Sequence, residues 1–309
     1  MVENVAVELS VVIPAYNRRH VLAVCLRCLT TQTLAPRQYE VVVVDDGSEE
    51  DLEPVVEEVA EVIHVRLIRL PHNLGRAAAR NRGIDVARGE VIVFIDSDVF
   101  VPPGFLEAHW NVHARNERAV GRGPLLLTEH LEDPFTRPPV LWDPSPAFLD
   151  TANASVRRTH LLAAGGFDEG FRHYGWEDLD LGIRLKRMGL RRVFSRRAVA
   201  YHYQPLPSTK TLVDLLRKEE ERAQMAVRFL RKHPGWRTRL AVQLTPLHQI
   251  LAYVMTGGGA LGPQNVAAVV DRVRRALGPS GAYFLVRGVL NRHYLRALQH
   301  EWTRSLAPH

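Results

Sequence analysis

The sequence predicts an α/β fold in which helices cover a mainly parallel sheet, followed by a helical C-terminal region. Short, mostly β-branched apolar runs alternate with helical periodicity through the first 100 residues. Polar or acidic residues directly follow several of these runs. From about residue 206 onward the periodicity is helical throughout. We therefore predict two domains within the 309 residues, spanning 1–205 and 206–309.

Strands and helices alternate at the start of the chain. A run that is apolar at every position is typical of a parallel strand covered on both faces. Right-handed crossovers then join the strands into βαβ units. The predicted strands are 7–13, 41–44, 63–70 and 91–95, and the predicted helices are 19–31, 52–60 and 76–87.

The pattern is less regular between residues 100 and 205. A proline-rich, mobile loop is predicted over 132–146. Gly189 is expected to end a helix as a left-handed cap. The other predicted elements are helices 105–116, 159–164 and 176–188 and strands 119–128, 148–157, 192–194 and 199–203.

The C-terminal region predicts helices over 211–232, with Ser208 as N-cap, then 238–255, 263–277 and 282–299. From Leu206 onward, 16 Lys and Arg oppose 6 Asp and Glu. Such a region is a solvated helical subdomain or a surface for anionic membranes or nucleic acid. We expect a packed subdomain that completes an acceptor site or a homodimer contact, because its apolar faces look no wider than a core requires. Peripheral membrane contact is the alternative, and no nucleic-acid partner is expected.

The first residues and the two cysteines predict a cytoplasmic protein. Glu3 and Glu8 interrupt the start, so no signal peptide is expected, and no apolar run is long enough to span a bilayer. Cys25 and Cys28 fall inside a predicted helix with no second ligand pair nearby. We interpret them as ordinary helix residues in a reducing compartment rather than as a redox or zinc pair.

Asp96-Ser97-Asp98 follows the buried run 91–95. Ligands of open α/β sheets bind outside the carboxyl ends of the strands. In an extended segment both carboxylates point to one side, where they repel each other unless a cation or a proton intervenes. A hard divalent cation that also holds phosphate oxygens fits this pair. A polar turn after a strand is the alternative, and the short motif alone favours that interpretation.

Four stretches in order, residues 12–18, 43–48, 96–98 and 165–182, resemble glycosyltransferase family 2 over about residues 7–204. The resemblance implies a GT-A fold, which is Rossmann-like, with a nucleotide-binding part near 1–100 and an acceptor part near 101–205. It implies inverting transfer from a nucleotide-sugar, with a UDP-sugar as donor. Residues 175–185 are also similar to a galactosyl- and N-acetylgalactosaminyltransferase signature.

The resemblance implies a donor site at the first strand ends. Asp98, with Asp96 and His202, would hold Mn²⁺ or Mg²⁺. Asp46, or alternatively Asp45, would bind the base. Either Tyr16 stacks on that base or it packs on the sheet, and either Arg80 or Arg76 approaches the diphosphate. The implied donor-site residues are Pro14, Tyr16, Arg18, Asp45, Asp46, Arg80, Asp96 and Ser97.

On the acceptor side the resemblance implies that Asp178 is the general base and that Glu177 orients sugar or acceptor. His173, Tyr174 and Trp176 would form the surface for a carbohydrate or lipid-linked acceptor. Alternatively, both acids only stabilise a helix N-terminus, an effect of about 0.3–1 kcal/mol.

Two other functions remain open on the sequence. A non-catalytic nucleotide- or glycan-binding module would have no reason to keep both a metal site and a base. A nucleotidyltransferase usually shows a glycine-rich phosphate loop after the first strand, where this chain has Pro14-Ala15-Tyr16-Asn17. Both comparisons favour the transferase.

Overall fold

The computed structural model describes residues 7–135, 141–143, 145, 147–205 and 209–306. The chain divides into two compact units. The sheet unit comprises Met1–Arg172 and Glu177–Gln204, and the helical unit comprises His173–Trp176 and Pro205–His309. The short segment His173–Trp176, expected in the first domain, thus groups with the C-terminal helices.

The sheet unit contains a seven-stranded sheet of order β10-β6-β9-β4-β1-β2-β3, in which β9 runs antiparallel to β4 and β6. A second sheet has the order β5-β11-β7-β8. The strands are β1 Leu9–Ala15, β2 Tyr39–Asp45, β3 His64–Arg69, β4 Val91–Phe94, β5 Val99–Phe100, β6 Ala119–Arg122, β7 Leu125–Thr128, β8 Leu141–Asp143, β9 Ala154–Arg157, β10 Arg191–Phe194 and β11 Ala200–Tyr203. The helices are α1 Arg19–Thr30, α2 Glu53–Ala60, α3 Arg76–Val86, α4 Phe105–Arg115, α5 Arg158–Ala163 and α6 Glu177–Arg187.

Strand β1 lies at the centre of the larger sheet, and all its residues are buried. Successive side chains of a strand point to opposite faces. Accordingly, Val11 and Ile13 pack in the cluster that contains α1, whereas Val12 packs with Ile84 of α3. These two apolar layers explain the uninterrupted apolar run, and the predicted α/β fold with a mainly parallel sheet is confirmed.

The second sheet brings β11 beside the end of β4. Strand β11 pairs antiparallel with β5, where His202 lies opposite Val99. The N–H of Tyr203 donates to the carbonyl oxygen of Asp98 at 2.8 Å. This pairing places His202 next to the Asp96–Asp98 segment, although the two are distant in sequence.

The single strand predicted over 119–128 is wrong, because β6 and β7 belong to different sheets. The extended strand is interrupted between them at Gly123, where a Cβ atom would lie 1.8 Å from the carbonyl oxygen of Ala198. The strand predicted over 148–157 is shorter, since a turn with a hydrogen bond from the N–H of Asn153 to the carbonyl oxygen of Asp150 precedes β9. The loop predicted over 132–146 contains β8, and its residues 136–140, 144 and 146 lie outside the described residues.

The helical unit contains α7 Thr209–Lys232, α8 Trp236–Ala241, α9 Pro246–Met255 and α10 Pro263–Leu306. The helix predicted over 238–255 is interrupted because Gln243 has a φ of 63° and Pro246 starts a new helix. Helix α10 bends at Gly278, which lies between the helices predicted over 263–277 and 282–299. The core of the helical unit contains Leu212 of α7 together with apolar residues of α10. Ser208, the predicted N-cap, lies outside the described residues.

The described residues include no helix with the length and apolarity needed to cross a bilayer. The predicted left-handed cap at Gly189 is confirmed, with a φ of 88°.

We predict that Gly123→Ala destabilises the protein by about 1–3 kcal/mol, because the added methyl group must displace backbone at Ala198. Gly104→Ala is the matched control, since a Cβ there meets nothing within 4 Å. Urea unfolding of both variants checks this. Equal unfolding midpoints for the two variants would contradict the close approach.

Candidate active site

The ends of β1, β2 and β4 meet at one edge of the larger sheet. Ala15 at the end of β1 lies opposite Asp45 of β2, and Val12 lies opposite Phe94 of β4. Pro14 is buried within β1. Because the strands are parallel, the polar residues that follow them gather at this edge.

Asp45 and Asp46 hold the loops at this edge. The carboxylate of Asp46 accepts N–H groups from Leu74 at 2.7 Å and Gly75 at 3.0 Å. Asp45 accepts the N–H of Ser48 at 2.8 Å. Burial raises the pKa of Asp46 despite these hydrogen bonds. Asp46 therefore fixes the backbone before α3 and Asp45 fixes the turn after β2, and contact with a base remains a prediction for both.

The turn after β1 is strained and open. Asn17 and Arg18 have φ values of 57° and 59°, a region that side chains other than glycine rarely adopt. The Glu50 carboxylate accepts the N–H groups of Arg18 at 3.3 Å and Arg19 at 2.8 Å, and these backbone donors lower its pKa. No sequence pattern singles out Glu50. Tyr16 is 46% exposed, so its ring is accessible for stacking.

Asp96 is balanced by two arginines of α3. Its Oδ1 lies 2.8 Å from Nη2 of Arg80, and its Oδ2 lies 3.9 Å from Nη1 of Arg76. Burial opposes ionisation, but the charges of Arg80 and Arg76 lower the pKa of Asp96 below its ordinary value. The carboxyl is therefore ionised at neutral pH. Ser97 next to it is half-buried.

Asp98 lies between Arg18 and His202. Its Oδ2 is 3.2 Å from Nη1 of Arg18, and its Oδ1 is 3.3 Å from Nε2 of His202. Against the effect of burial, His202 holds the pKa of Asp98 far below its usual range. In turn, Asp98 raises the pKa of His202, although burial acts in the opposite direction.

The donor chemistry of Asp96, Asp98 and His202 suits a divalent cation. Carboxylate oxygens bind Mg²⁺ and Mn²⁺, and an imidazole nitrogen favours Mn²⁺. Over the described parts of the chain, no three His, Cys, Asp or Glu side chains are grouped so that they hold an ion by themselves. An ion here would therefore need further ligands, such as phosphate oxygens.

Arg80 is 1% exposed and joins two acids. Its Nη2 binds Asp96, and its Nη1 donates to Oε1 of Glu177 at 2.8 Å. The guanidinium also lies over the ring of Phe167, 5.6 Å from its centroid. Arg80, predicted near the diphosphate, thus has both terminal nitrogens engaged by protein, whereas Arg76 is 41% exposed.

Asp178 and Glu177 begin α6. Oε2 of Glu177 is buried and has no hydrogen-bond partner among the described residues. Asp178 is half-buried, and its Oδ1 accepts the N–H of Leu179 at 2.7 Å. Burial, together with the negative charges of Glu177 and Asp150, raises the pKa of Asp178 well above its ordinary value. A carboxylate with a raised pKa is better matched to accept a proton near neutral pH.

Asp150 is a member of this cluster that sequence reasoning missed. Arg122, which is buried, donates from Nη2 to Oδ2 of Asp150 at 2.9 Å. No spacing pattern links residue 150 to residue 178, so only the fold brings out this pair.

The segment His173–Trp176 lies in the helical unit. Trp176 is 6% exposed, stacks on Phe229 with centroids 5.4 Å apart, and donates from Nε1 to the carbonyl oxygen of Arg222 at 2.9 Å. Its φ of 77° is unusual for a bulky residue and marks local strain. Trp176 is therefore largely covered, whereas His173 and Tyr174 remain exposed.

The chain is similar to known glycosyltransferases. Residues 10–142 match the domain family described as Glycosyl transferase family 2. These residues form a glycosyltransferase family 2 domain. It is similar to chondroitin synthase from Escherichia coli, at 27% identity over 239 residues, 64% of this chain and 35% of that protein. Validoxylamine A glucosyltransferase from Streptomyces hygroscopicus subsp. limoneus is 29% identical over 272 residues, 74% of this chain and 57% of that protein.

Two solved structures share the fold of this chain. Mannosyltransferase PcManGT from Pyrobaculum calidifontis, in complex with GDP-Man and Mn²⁺, has a TM-score of 0.61 at 19% identity, covering 97% of this chain and 88% of that one. S. aureus TarS 1-349 in complex with UDP has a TM-score of 0.53 at 20% identity, covering 95% and 91%. The predicted GT-A fold with C-terminal helices is thereby confirmed. The chain spans about a third of the length of the chondroitin synthase it matches.

We predict that Arg80→Met lowers the free energy of unfolding by about 3–5 kcal/mol, because it leaves the buried Glu177 without its counter-charge and leaves Asp96 with only the more distant Arg76. Adding Glu177→Gln should recover part of the loss, since the amide carries no charge. Urea unfolding of the single and double variants measures this coupling.

Arg82→Met is the matched control, because Arg82 is exposed on the same helix. Equal losses for Arg80→Met and Arg82→Met, or purely additive effects of Arg80→Met and Glu177→Gln, would rule out the bridge as a stabilising element.

Proposed function

We propose that this protein transfers a sugar from a nucleoside-diphosphate donor, with UDP as the nucleotide, to an acceptor hydroxyl with inversion. The observation that carries this proposal is the Asp96–Arg80–Glu177 bridge, which ties the donor-side carboxylates to the start of the helix that bears Asp178. The match of residues 10–142 to glycosyltransferase family 2 supports the reaction class.

Asp178 is proposed as the general base. Its raised pKa gives it affinity for the proton that the acceptor hydroxyl loses. As the acceptor oxygen forms its bond to the anomeric carbon, Asp178 takes that proton. The bond between the anomeric carbon and the phosphate oxygen breaks, and the nucleoside diphosphate leaves with the electron pair. A single displacement of this kind inverts the anomeric configuration.

Glu177 is proposed to orient the sugar or the acceptor. Its Oε1 accepts a hydrogen bond from Arg80, and its buried Oε2 has no hydrogen-bond partner in the described part of the chain. A buried acceptor without a partner is costly unless a ligand supplies one. A hydroxyl of the bound sugar is the donor that suits Oε2.

We propose that Asp98, Asp96 and His202 hold a divalent ion together with the donor diphosphate. When bound, such an ion neutralises the charge that develops on the leaving phosphate. Arg18 and Arg76, which are 53% and 41% exposed, add positive charge beside the same carboxylates. The Mn²⁺ of the PcManGT complex supports the choice of a divalent metal.

The donor and acceptor classes rest on comparison. Both UDP and GDP-Man occur in complexes of proteins that share this fold. Tyr16 and Asp46 are proposed to contact the base, and His173 and Tyr174 the acceptor. The relatives' names indicate a carbohydrate acceptor, either a glycan or a smaller molecule.

We predict that Asp178→Asn lowers kcat by about 10²–10⁴-fold with little change in donor KM, because the amide cannot accept the proton. Wild-type turnover should fall as the pH drops through the raised pKa of Asp178, and the variant should lose this acid limb. Release of free nucleoside diphosphate across UDP-, GDP- and dTDP-sugars measures turnover. Near-normal turnover of the variant would leave Asp178 as a helix-terminal residue only.

The same variant has a stability signature that separates loss of chemistry from loss of fold. The pKa of Asp178 is raised in the folded state, so folding takes up a proton between the unfolded and folded pKa values. Wild-type stability therefore falls as pH rises through that interval. At pH 8 Asp178→Asn should unfold at the same or a higher temperature than wild type, whereas the exposed Asp85→Asn should show no pH-dependent gain.

We predict that excess chelator abolishes transfer and that Mn²⁺ or Mg²⁺ restores it. Asp98→Ala should lose metal-dependent donor binding, read by titration calorimetry with UDP, while Asp85→Ala keeps it. Undiminished turnover in excess chelator would exclude a metal from the reaction.

A further inference from the structure

Helix α9 of the helical unit presents an apolar stripe to solvent. Leu247, Ile250, Leu251 and Val254 are 68%, 62%, 52% and 65% exposed. They occupy positions i, i+3, i+4 and i+7, the spacing by which a helix normally packs onto a core. Here the buried residue is Ala252, which is only 2% exposed. The stripe therefore points away from the protein interior.

Further exposed apolar side chains accompany the stripe. Helix α9 contains no Asp, Glu, Lys or Arg. Tyr253 is 53% exposed beside the stripe, and α8 adds Trp236 at 70% and Leu240 at 48%. Exposed apolar residues grouped at helical spacing mark an interaction site. The expectation that the apolar faces are no wider than core packing requires is thus wrong for α9.

Positive charge accompanies the apolar surface. Between residues 222 and 300 the chain has 12 Arg and Lys and a single acid, Asp271. Arg292 lies over the ring of Tyr253, 5.5 Å from its centroid, and Arg237 lies over Trp236 at 5.4 Å. Arg237 and Arg239 of α8 are both exposed. Aromatic rings with cations beside an aliphatic stripe are the composition of helices that lie in a membrane interface.

We propose that α9, with α8, docks this protein on an anionic lipid surface. The stripe would enter the boundary between headgroups and acyl chains, and the arginines would meet the lipid phosphates. A second copy of the chain is the less favoured occupant, since the same face would bring two cationic surfaces together. An anionic bilayer matches both the apolar stripe and the charge.

Co-sedimentation of the full chain with vesicles tests this proposal. Vesicles of phosphatidylcholine alone are compared with vesicles of equal parts phosphatidylcholine and phosphatidylglycerol, at low and at physiological salt. We expect binding to the anionic vesicles that weakens with salt. No binding to anionic vesicles at low salt, or equal binding to both compositions, would overturn the proposal.

The variant Ile250→Glu with Val254→Glu should weaken vesicle binding at least about tenfold, because it places two carboxylates in the apolar stripe. The control is Val62→Glu with Leu162→Glu, which makes the same charge change at sites of the sheet unit that are 52% and 45% exposed. Arg237→Gln and Arg239→Gln should each weaken binding by roughly fivefold and reduce its salt dependence.

Circular dichroism and light scattering complete the test. All four substituted surfaces are exposed, so each variant should keep the wild-type helix content. Equal vesicle binding by the α9 variant and its control would overturn the proposal. A wild-type dimer that the α9 variant converts to a monomer, with no vesicle binding by either, would assign the face to self-association instead.

Discussion

The site depends on the two ion pairs that the buried guanidinium of Arg80 forms. It joins Asp96, at the end of β4, to Glu177, 97 residues further along the chain than Arg80. Without this guanidinium Glu177 would lose its counter-charge, and a buried carboxylate without a counter-charge is strongly destabilising. The bridge therefore fixes the first turn of α6 against the sheet. Arg80 also affects Asp178. Burial and the neighbouring carboxylates raise the pKa of Asp178, and the positive charge of Arg80 offsets part of that rise.

The charges of the sheet edge are arranged by depth. Asp45 and Asp46 are buried and hold backbone N–H groups, and Arg80 is buried between two acids. Arg18 and Arg76 are far more exposed beside the less buried acids Asp98 and Asp96. Cations at the surface with acids beneath them suit a ligand that carries both phosphate and metal. The acids alone would repel such a ligand, and the arginines alone would leave no site for a cation.

Local signals in the sequence predicted the strands and the acids that follow them. The run 91–95 needs burial on both faces whatever its neighbours are, so β4 and the position of Asp96 could be read directly. Other features depend on residues that are distant in the sequence, and a local pattern does not detect them. They are the pairing of Arg80 with Glu177, the burial of Trp176 and the interruption at Gly123. Helix α9 shows the same limit: its apolar spacing is that of a core helix, and only the structure shows which face it buries.

The two units differ in how their charge is balanced. In the sheet unit, several arginines pair with a nearby acid. Arg122 pairs with Asp150, and Arg66 pairs with Glu40. From residue 206 onward, 16 basic residues oppose 6 acids, an excess of ten positive charges. Solvent and salt screen such an excess over about 8 Å, but they do not cover apolar side chains. An anionic lipid surface would meet the excess charge and cover the α9 stripe together, which a purely electrostatic partner would not.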